Sequence, residues 1–341
     1  MHQIKQLIYE IEKTHKGLGR LIAMNILTAK AKKTILNVAP AGCGKSTATD
    51  TVAYLLKDKA RKYSSLTLAG LKHLRDELTE CNAHIIIDDL GQEKSLWSRI
   101  STITVLANLT YTHYVRKITQ SYEIEITNFY GSASLNIQPV LMNALVQEQD
   151  WIAVVRDKVL RYYHLIRPVK PKRYIQPPSF NWGLPTEAVK PPKHKGKLWY
   201  QLIAIGLTQW SYARCLEHIP DYLKALAALD NRTEVTTEDY RLLIKLLQPM
   251  QLERYILRSF GLEEGRVFDN NVYCLLVEIA SHGNPTVETI CEDYKVSPAT
   301  VLRVAKTAQE WVWVKKNSPT RICPTEQTKQ ILELCGYKRK W

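Results

Sequence analysis

Residues 34–47 constrain this chain more than any other stretch. Thr34-Ile35-Leu36-Asn37-Val38 reads as a buried strand, and a helical pattern runs from Ser46 to Lys59. Between them lies Ala39-Pro40-Ala41-Gly42-Cys43-Gly44-Lys45-Ser46-Thr47. A glycine-bearing turn from strand into helix lets successive backbone N–H groups converge on one point, and the helix start adds partial positive charge there. The segment is therefore read as a phosphate-cradling loop formed by Ala41, Gly42, Cys43, Gly44, Lys45, Ser46 and Thr47. In such a loop Lys45 bridges the β- and γ-phosphates of a nucleoside triphosphate, and the Ser46 hydroxyl ligates Mg²⁺. The usual first glycine of the motif is Ala39 here, a small residue at the strand end.

A second acidic element belongs with this loop. His84-Ile85-Ile86-Ile87 reads as a buried strand that delivers Asp88 and Asp89 at its carboxyl end, where open α/β sheets collect ligands. Asp88 is the expected second metal-holding residue, and Asp89 is placed to orient or deprotonate an attacking water. Further strands are expected at 65–68, 123–128 and 161–166, with helices at 3–14, 71–81, 96–117 and 139–147. The alternation predicts a parallel sheet with helices on both faces.

With the loop at 39–47 and His-Ile-Ile-Ile-Asp-Asp-Leu-Gly at 84–91, the chain resembles the AAA+ superfamily of ATPases. The resemblance implies ATP and Mg²⁺ as cofactors. It implies a polar residue touching the γ-phosphate or water at the end of the strand after the acidic pair, for which Asn128 is the candidate and Thr127 the second; a strand-end cap is the other reading. It implies an arginine offered to a neighbouring subunit from the region before the last core strand, where Arg156 is favoured over Arg161. It also implies an all-helical lid, seen in 198–267 and closest to the MCM and MoxR-like branches. In that lid Arg214 would reach the γ-phosphate, the alternative being a solvent-facing arginine.

Charge divides the chain unevenly. Of the formal +14, residues 1–62 carry +8 and residues 156–197 carry +9, while 63–155 carry −4. Two like-charged blocks attract polyanions, or else form a solvated surface. Seven of the fifteen prolines fall between Pro168 and Pro192, interleaved with lysines, so 168–197 reads as a basic extended connector. Hydrophobic residues at 45% and charged residues at 23% exclude wholesale disorder. Seven scattered cysteines without a Cys-x-x-Cys pair argue against a disulfide framework or zinc finger. Neither a spanning segment nor a secretory signal is seen, and a cytoplasmic location is expected.

Beyond the lid, helices at 271–281, 286–294 and from Ser297 onward are followed by β-rich stretches at 311–315 and 320–323 and a last helix at 325–334. This order resembles the winged-helix domain. The resemblance puts Thr300, Arg303, Lys306 and Thr307 on a helix entering the DNA major groove, and Lys315, Lys316 and Arg321 on a wing touching phosphates; such domains also bind proteins.

The expected organisation is thus N-terminal helices 1–33, an α/β P-loop core 34–167, the connector 168–197, the lid 198–267 and the winged helix 268–341. The expected function is ATP-dependent DNA binding and remodelling by a homo-oligomer, a hexameric ring being one such assembly. The setting would be replication initiation or mobile-element DNA processing, with a replication or recombination protein as a further partner. Two alternatives are an ATP-gated transcription regulator with little hydrolysis and a helicase loader whose winged helix grips protein.

Overall fold

The computed structural model describes residues 2–88, 95–118, 123–149, 151, 155–169, 178–260 and 264–337. In chain order the elements are α1 (Gln3–Thr14), α2 (Gly19–Lys30), β1 (Thr34–Val38), α3 (Lys45–Leu56), β2 (Ala60–Tyr63), α4 (Leu68–His73), α5 (Arg75–Leu78), β3 (His84–Ile87) and α6 (Leu96–Thr112). They continue with β4 (Val115–Ile118), β5 (Glu123–Ile126), β6 (Ser132–Ile137), α7 (Pro139–Leu145), β7 (Val159–Tyr163), α8 (Lys197–Gly206), α9 (Tyr212–Leu229), α10 (Thr237–Leu247) and α11 (Glu253–Ile256). The chain ends with β8 (Leu257–Phe260), β9 (Glu264–Phe268), α12 (Asn270–His282), α13 (Val287–Tyr294), α14 (Pro298–Thr307), β10 (Val312–Lys315), β11 (Arg321–Pro324) and α15 (Glu326–Leu334).

Five strands form one parallel sheet in the order β2-β3-β6-β1-β7. With its flanking helices it is an α/β architecture consistent with a P-loop fold. β1 is an interior strand, pairing with β6 from Thr34↔Ala133 to Val38↔Ile137 and with the edge strand β7 from Thr34↔Val159 to Val38↔Tyr163. Because all five strands run the same way, every loop that leaves a strand's carboxyl end opens on one edge of the sheet.

The strand expected at 123–128 is real but lies elsewhere. β5 pairs antiparallel with β4, outside the sheet, and β6 takes the interior position between β3 and β1. The physical reason is burial on two faces. β5 alternates Glu123 and Glu125 with Ile124 and Ile126, a pattern suited to a ribbon with one wet face, and Glu123 pairs with Arg116 at 2.8 Å. All six residues of β6 are buried. Its polar side chains conceal it from a hydropathy reading, yet each is satisfied inside the fold. Ser132 and Ser134 meet the ring nitrogens of His84 at 2.7 and 2.8 Å, and Asn136 donates to Asp88 at 2.9 Å. Burial lowers the His84 pKa to about 3, so the ring is neutral and can accept as well as donate.

Other boundaries shift for local reasons. The second strand is β2 at 60–63, and 68–73 is helical. α6 stops at Thr112, because His113 adopts a left-handed φ of 60° and the chain turns into β4. The region 198–260 is not helical to its end: β8 and β9 pair as an antiparallel hairpin, and Gly265 in β9 disfavours helix. The described parts of the connector, 168–169 and 178–197, hold one short helical turn at Thr186–Ala188 before α8 begins at Lys197. Among the described residues no helix is long and apolar enough to cross a membrane.

α2 is buried from Leu21 to Lys30 and lies against the sheet, with α1 and α9 packed on it. On the carboxyl edge, Tyr273 of α12 donates to the carbonyls of Val38 at 2.6 Å and His164 at 3.0 Å, docking the C-terminal region against the exits of β1 and β7. That region has α12, α13 and α14, then the antiparallel pair β10–β11, then α15. Ser297 caps α14 through the Thr300 N–H, with Pro298 in the first turn.

Arg161, on β7, is fully buried. Its Nε and Nη2 donate to Glu253 at 2.7 and 3.0 Å, and the Tyr163 hydroxyl donates to the same carboxylate at 2.7 Å. Burial opposes the Arg161 charge, but the Glu253 carboxylate raises its pKa further. Glu253→Ala should destabilise the chain by roughly 3–5 kcal/mol, because it strands a buried cation. Urea unfolding of the single variant beside Arg161→Met/Glu253→Leu checks this, the double variant being expected to lose less.

Candidate phosphate-binding site

The loop after β1 opens on a cavity of about 540 Å³ lined by residues 41–47 together with Asp88, Asn136 and Gln138. His15, Leu18, Pro168 and Val169 close its other side. Three strands therefore contribute: β1 supplies the loop, β3 supplies Asp88 and β6 supplies Asn136.

The loop's backbone requires glycine at two points. Gly42 and Gly44 sit at φ 78° and 74°, and a Cβ on them would lie 2.7 Å from Arg167 Nη1 and 2.7 Å from Pro168 Cγ respectively. Gly44 is the N-cap of α3 and contributes no side-chain acceptor, so the first-turn N–H groups of a twelve-residue helix face the cavity. Ala39 is buried and accepts from Lys45 Nζ, which also donates to Pro40 O at 2.9 Å. The Cys43 side chain faces the core, and burial pushes its thiol up to about 12. Ser46 and Thr47 are exposed.

Asp88 is the electrostatic partner of the loop. Burial would raise its pKa, but hydrogen bonds from Ser46 and Asn136 and the Lys62 ammonium at 3.4 Å bring it below the usual carboxylate value. Asn136 also donates to Thr49 Oγ1 at 3.1 Å, and Thr49 in turn donates to the carbonyls of Lys45 and Ser46 at 3.2 and 3.1 Å. A short polar chain thus ties β3 and β6 to the first turn of α3. The donor set fits a nucleoside triphosphate and its Mg²⁺: left-handed glycines, an open helix start, a lysine, and a hydroxyl hydrogen-bonded to an ionised carboxylate.

The other sequence-derived candidates divide. Asp89 lies outside the described residues. Asn128 follows β5, at φ 54° on the side ribbon, and does not line the cavity. Asn136, which sequence reading passed over, occupies the position beside Asp88. Its signal was the small-polar alternation Ser132, Ser134, Asn136 running into Gln138-Pro139. Arg161 is consumed by Glu253 and Gln209 inside the fold and is not available to a neighbouring chain. Arg214 meets Glu217 at 2.9 Å, Asp157 at 3.6 Å and the Tyr111 ring at 4.0 Å. Asp157 precedes β7, and Tyr111 adjoins Thr110, which bonds Thr34 at the start of β1. Arg214 therefore sits at the amino end of the sheet, opposite the loop. Arg156 is at that same end, half-buried in the turn before β7.

Arg167 is the basic side chain beside Gly42. Its Nη1 donates to Ala41 O at 3.3 Å, its Nε to Glu278 at 2.7 Å, and its guanidinium lies 4.7 Å from the Tyr294 ring centre. Burial raises Glu278 to about 7 despite that arginine. In the C-terminal region Arg303, Lys306, Thr307, Lys315 and Lys316 are exposed, and Thr300 is half-buried. Arg321 is partly used in donating to Asn284 O at 2.8 Å.

Compared with protein-family models and with curated proteins, the sequence gives no match. Among solved structures, a provisionally named ATPase from Cytophaga hutchinsonii is similar at 11% identity and a TM-score of 0.39, covering 71% of this chain and 84% of that one. The apo C-terminal region of NrS-1, residues 305–718, is similar at 13% identity and a TM-score of 0.27, covering 95% and 75%.

The loop geometry sets an order of costs. Gly44→Ala meets both the left-handed backbone and Pro168, whereas a Cβ at Gly283, also at positive φ, meets nothing within 4 Å. Gly44→Ala should cost about 1–3 kcal/mol and more than Gly283→Ala, as read by urea unfolding of the two variants.

Proposed function

We propose that this chain is an Mg²⁺-dependent ATPase of the AAA+ type that acts on nucleic acid as an oligomer. The observation that carries the reading is the convergence of the 41–47 loop, the Ser46–Asp88 pair and Asn136 in one cavity at the carboxyl edge of a β2-β3-β6-β1-β7 sheet. The sheet order supports it by putting the loop strand between the acidic side of the sheet and β7.

In this reading the N–H groups of residues 42–47 and the start of α3 receive the phosphate oxygens of ATP. Lys45 exchanges the carbonyls of Ala39 and Pro40 for the β- and γ-phosphates. Ser46 and Asp88 would hold Mg²⁺, which would neutralise charge on the phosphate oxygens. Asn136, anchored by Asn37, Thr49 and Asp88, presents a fixed polar edge toward the γ-phosphate side, the role sequence gave to Asn128. Asp89, next along the chain, orients water for attack at the γ-phosphorus. The bond to the β–γ bridging oxygen breaks, and ADP and phosphate leave. Arg156, away from its own loop, is the residue offered to a neighbouring copy.

The C-terminal region supports a winged-helix role by its order of elements. α14 exposes Arg303, Lys306 and Thr307, and the end of β10 and the turn after it expose Lys315 and Lys316, a surface suited to duplex phosphates. Aspartate in place of glutamate at position 89 favours, as a second reading, an ATP-gated regulator with slow turnover.

Lys45→Ala should abolish ATP binding by calorimetry while keeping the unfolding midpoint; undiminished binding rejects the assignment. Turnover of the unmodified chain that rises with DNA supports the motor reading, and tight binding without turnover supports the regulator. Arg303→Ala/Lys315→Ala should weaken duplex binding and flatten its log–log salt dependence by about 2, from two lost phosphate contacts.

A further inference from the structure

A second and larger cavity, about 760 Å³, lies where the basic connector enters the helical region. One wall is the segment Lys190-Pro191-Pro192-Lys193-His194-Lys195-Gly196-Lys197, and the other is the turn 234–237 leading into α10. The segment contains four lysines and no acidic residue. Lys193, Lys195 and Lys197 are exposed and make no ion pair among the described residues, while Lys190 is paired with Glu234 at 2.7 Å. Glu234 is the single carboxylate on the cavity wall. The cleft therefore keeps a net positive charge after its internal pairing.

This wall is fixed in place. The Tyr240 hydroxyl donates to Lys193 O at 2.8 Å, the Lys190 N–H donates to Thr233 O at 2.9 Å, and the His194 ring stacks on Trp199 at 4.5 Å and 5°. Two prolines further stiffen it. The lysines are thus held along one rim; Trp199 is buried beneath the His194 ring, and the half-buried Tyr240 brings aromatic surface to the cleft wall. A basic groove with aromatic surface is the chemistry that takes a single nucleic-acid strand, its phosphates on the cations and its bases against rings. A concavity of this volume admits a strand of a few nucleotides but not a duplex, whose major groove alone is about 12 Å wide.

We propose that the cleft between the connector and α10 is a binding site for single-stranded nucleic acid, with Lys193, Lys195 and Lys197 as its phosphate contacts. Glu234 limits its affinity by holding Lys190. The inference rests on the nucleic-acid part of the proposed function and is independent of the nucleotide site and of the α14 surface.

The test is fluorescence anisotropy of a dye-labelled oligothymidylate of roughly 12 nucleotides, and of a duplex, titrated with the full chain over a range of salt. Lys193→Gln/Lys195→Gln/Lys197→Gln should weaken single-strand binding about tenfold or more and reduce its log–log salt slope by about 2, near 0.7 per phosphate contact. Duplex and ATP binding and the unfolding midpoint should be retained. Glu234→Gln should act oppositely and tighten single-strand binding, a change that damage to the fold would not produce. The proposal is overturned by a triple variant with unchanged affinity and slope, or by a proportional loss for strand and duplex. It is equally overturned by a Glu234→Gln chain that binds more weakly, or by displacement of the strand by polyglutamate at equal charge concentration. A chain that binds no ATP yet loses single-strand affinity in the triple variant keeps this site and loses the ATPase reading.

Discussion

The structure hangs on a buried polar seam that crosses the sheet beneath α2. Asn25 and Asn37 exchange side-chain hydrogen bonds at 3.1 and 3.0 Å, Asn37 donates to Asn136 at 3.0 Å, and Ser134 donates to Asn25 at 2.7 Å. Each of these amides would be costly to bury alone, since an unpaired buried polar group loses its water contacts without return. Together they help fix which strand lies beside which: β6 presents Ser134 and Asn136 on one face, the first to α2 and the second to β1. The seam ends at Asp88, so the same bonds that choose the strand order also position the carboxylate opposite Ser46. Fold specification and site assembly are one network here.

That network explains what sequence could and could not disclose. The 39–47 loop and β3 were legible because glycine placement and continuous apolar runs carry their own physics. β6 was not, because its polar side chains imitate a surface segment until their partners on α2, β1 and β3 are known. With β5 outside the sheet, Asn128 lies on the side ribbon, while Asn136 lies beside Asp88. The place of Arg161 and Arg214 along the chain does not disclose what they meet. Glu253 is 92 residues from Arg161, and Asp157 is 57 from Arg214. The helix caps of the C-terminal region were readable, since capping is decided within one turn, as at Ser297 and Thr300.

The C-terminal region is seated on the loop edge of the sheet. Tyr273 bonds the last carbonyl of β1, and Arg167 joins Ala41 of the loop to Glu278 of α12. A change in either partner of Arg167 therefore reaches the other across a single side chain. The basic cleft and the α14 surface belong to different packing units, so contacts made at one leave the other's geometry to its own neighbours.

Cys43 adds a consequence of its own. The loop's sulfur is buried in the core and is held as a neutral thiol, its pKa pushed up to about 12 by burial. Oxidants and alkylating agents act on thiolates, so the cradle is chemically quiet despite containing a cysteine. Electrophiles aimed at that position would meet a shielded side chain, and the loop would keep its shape under redox conditions that modify more exposed cysteines.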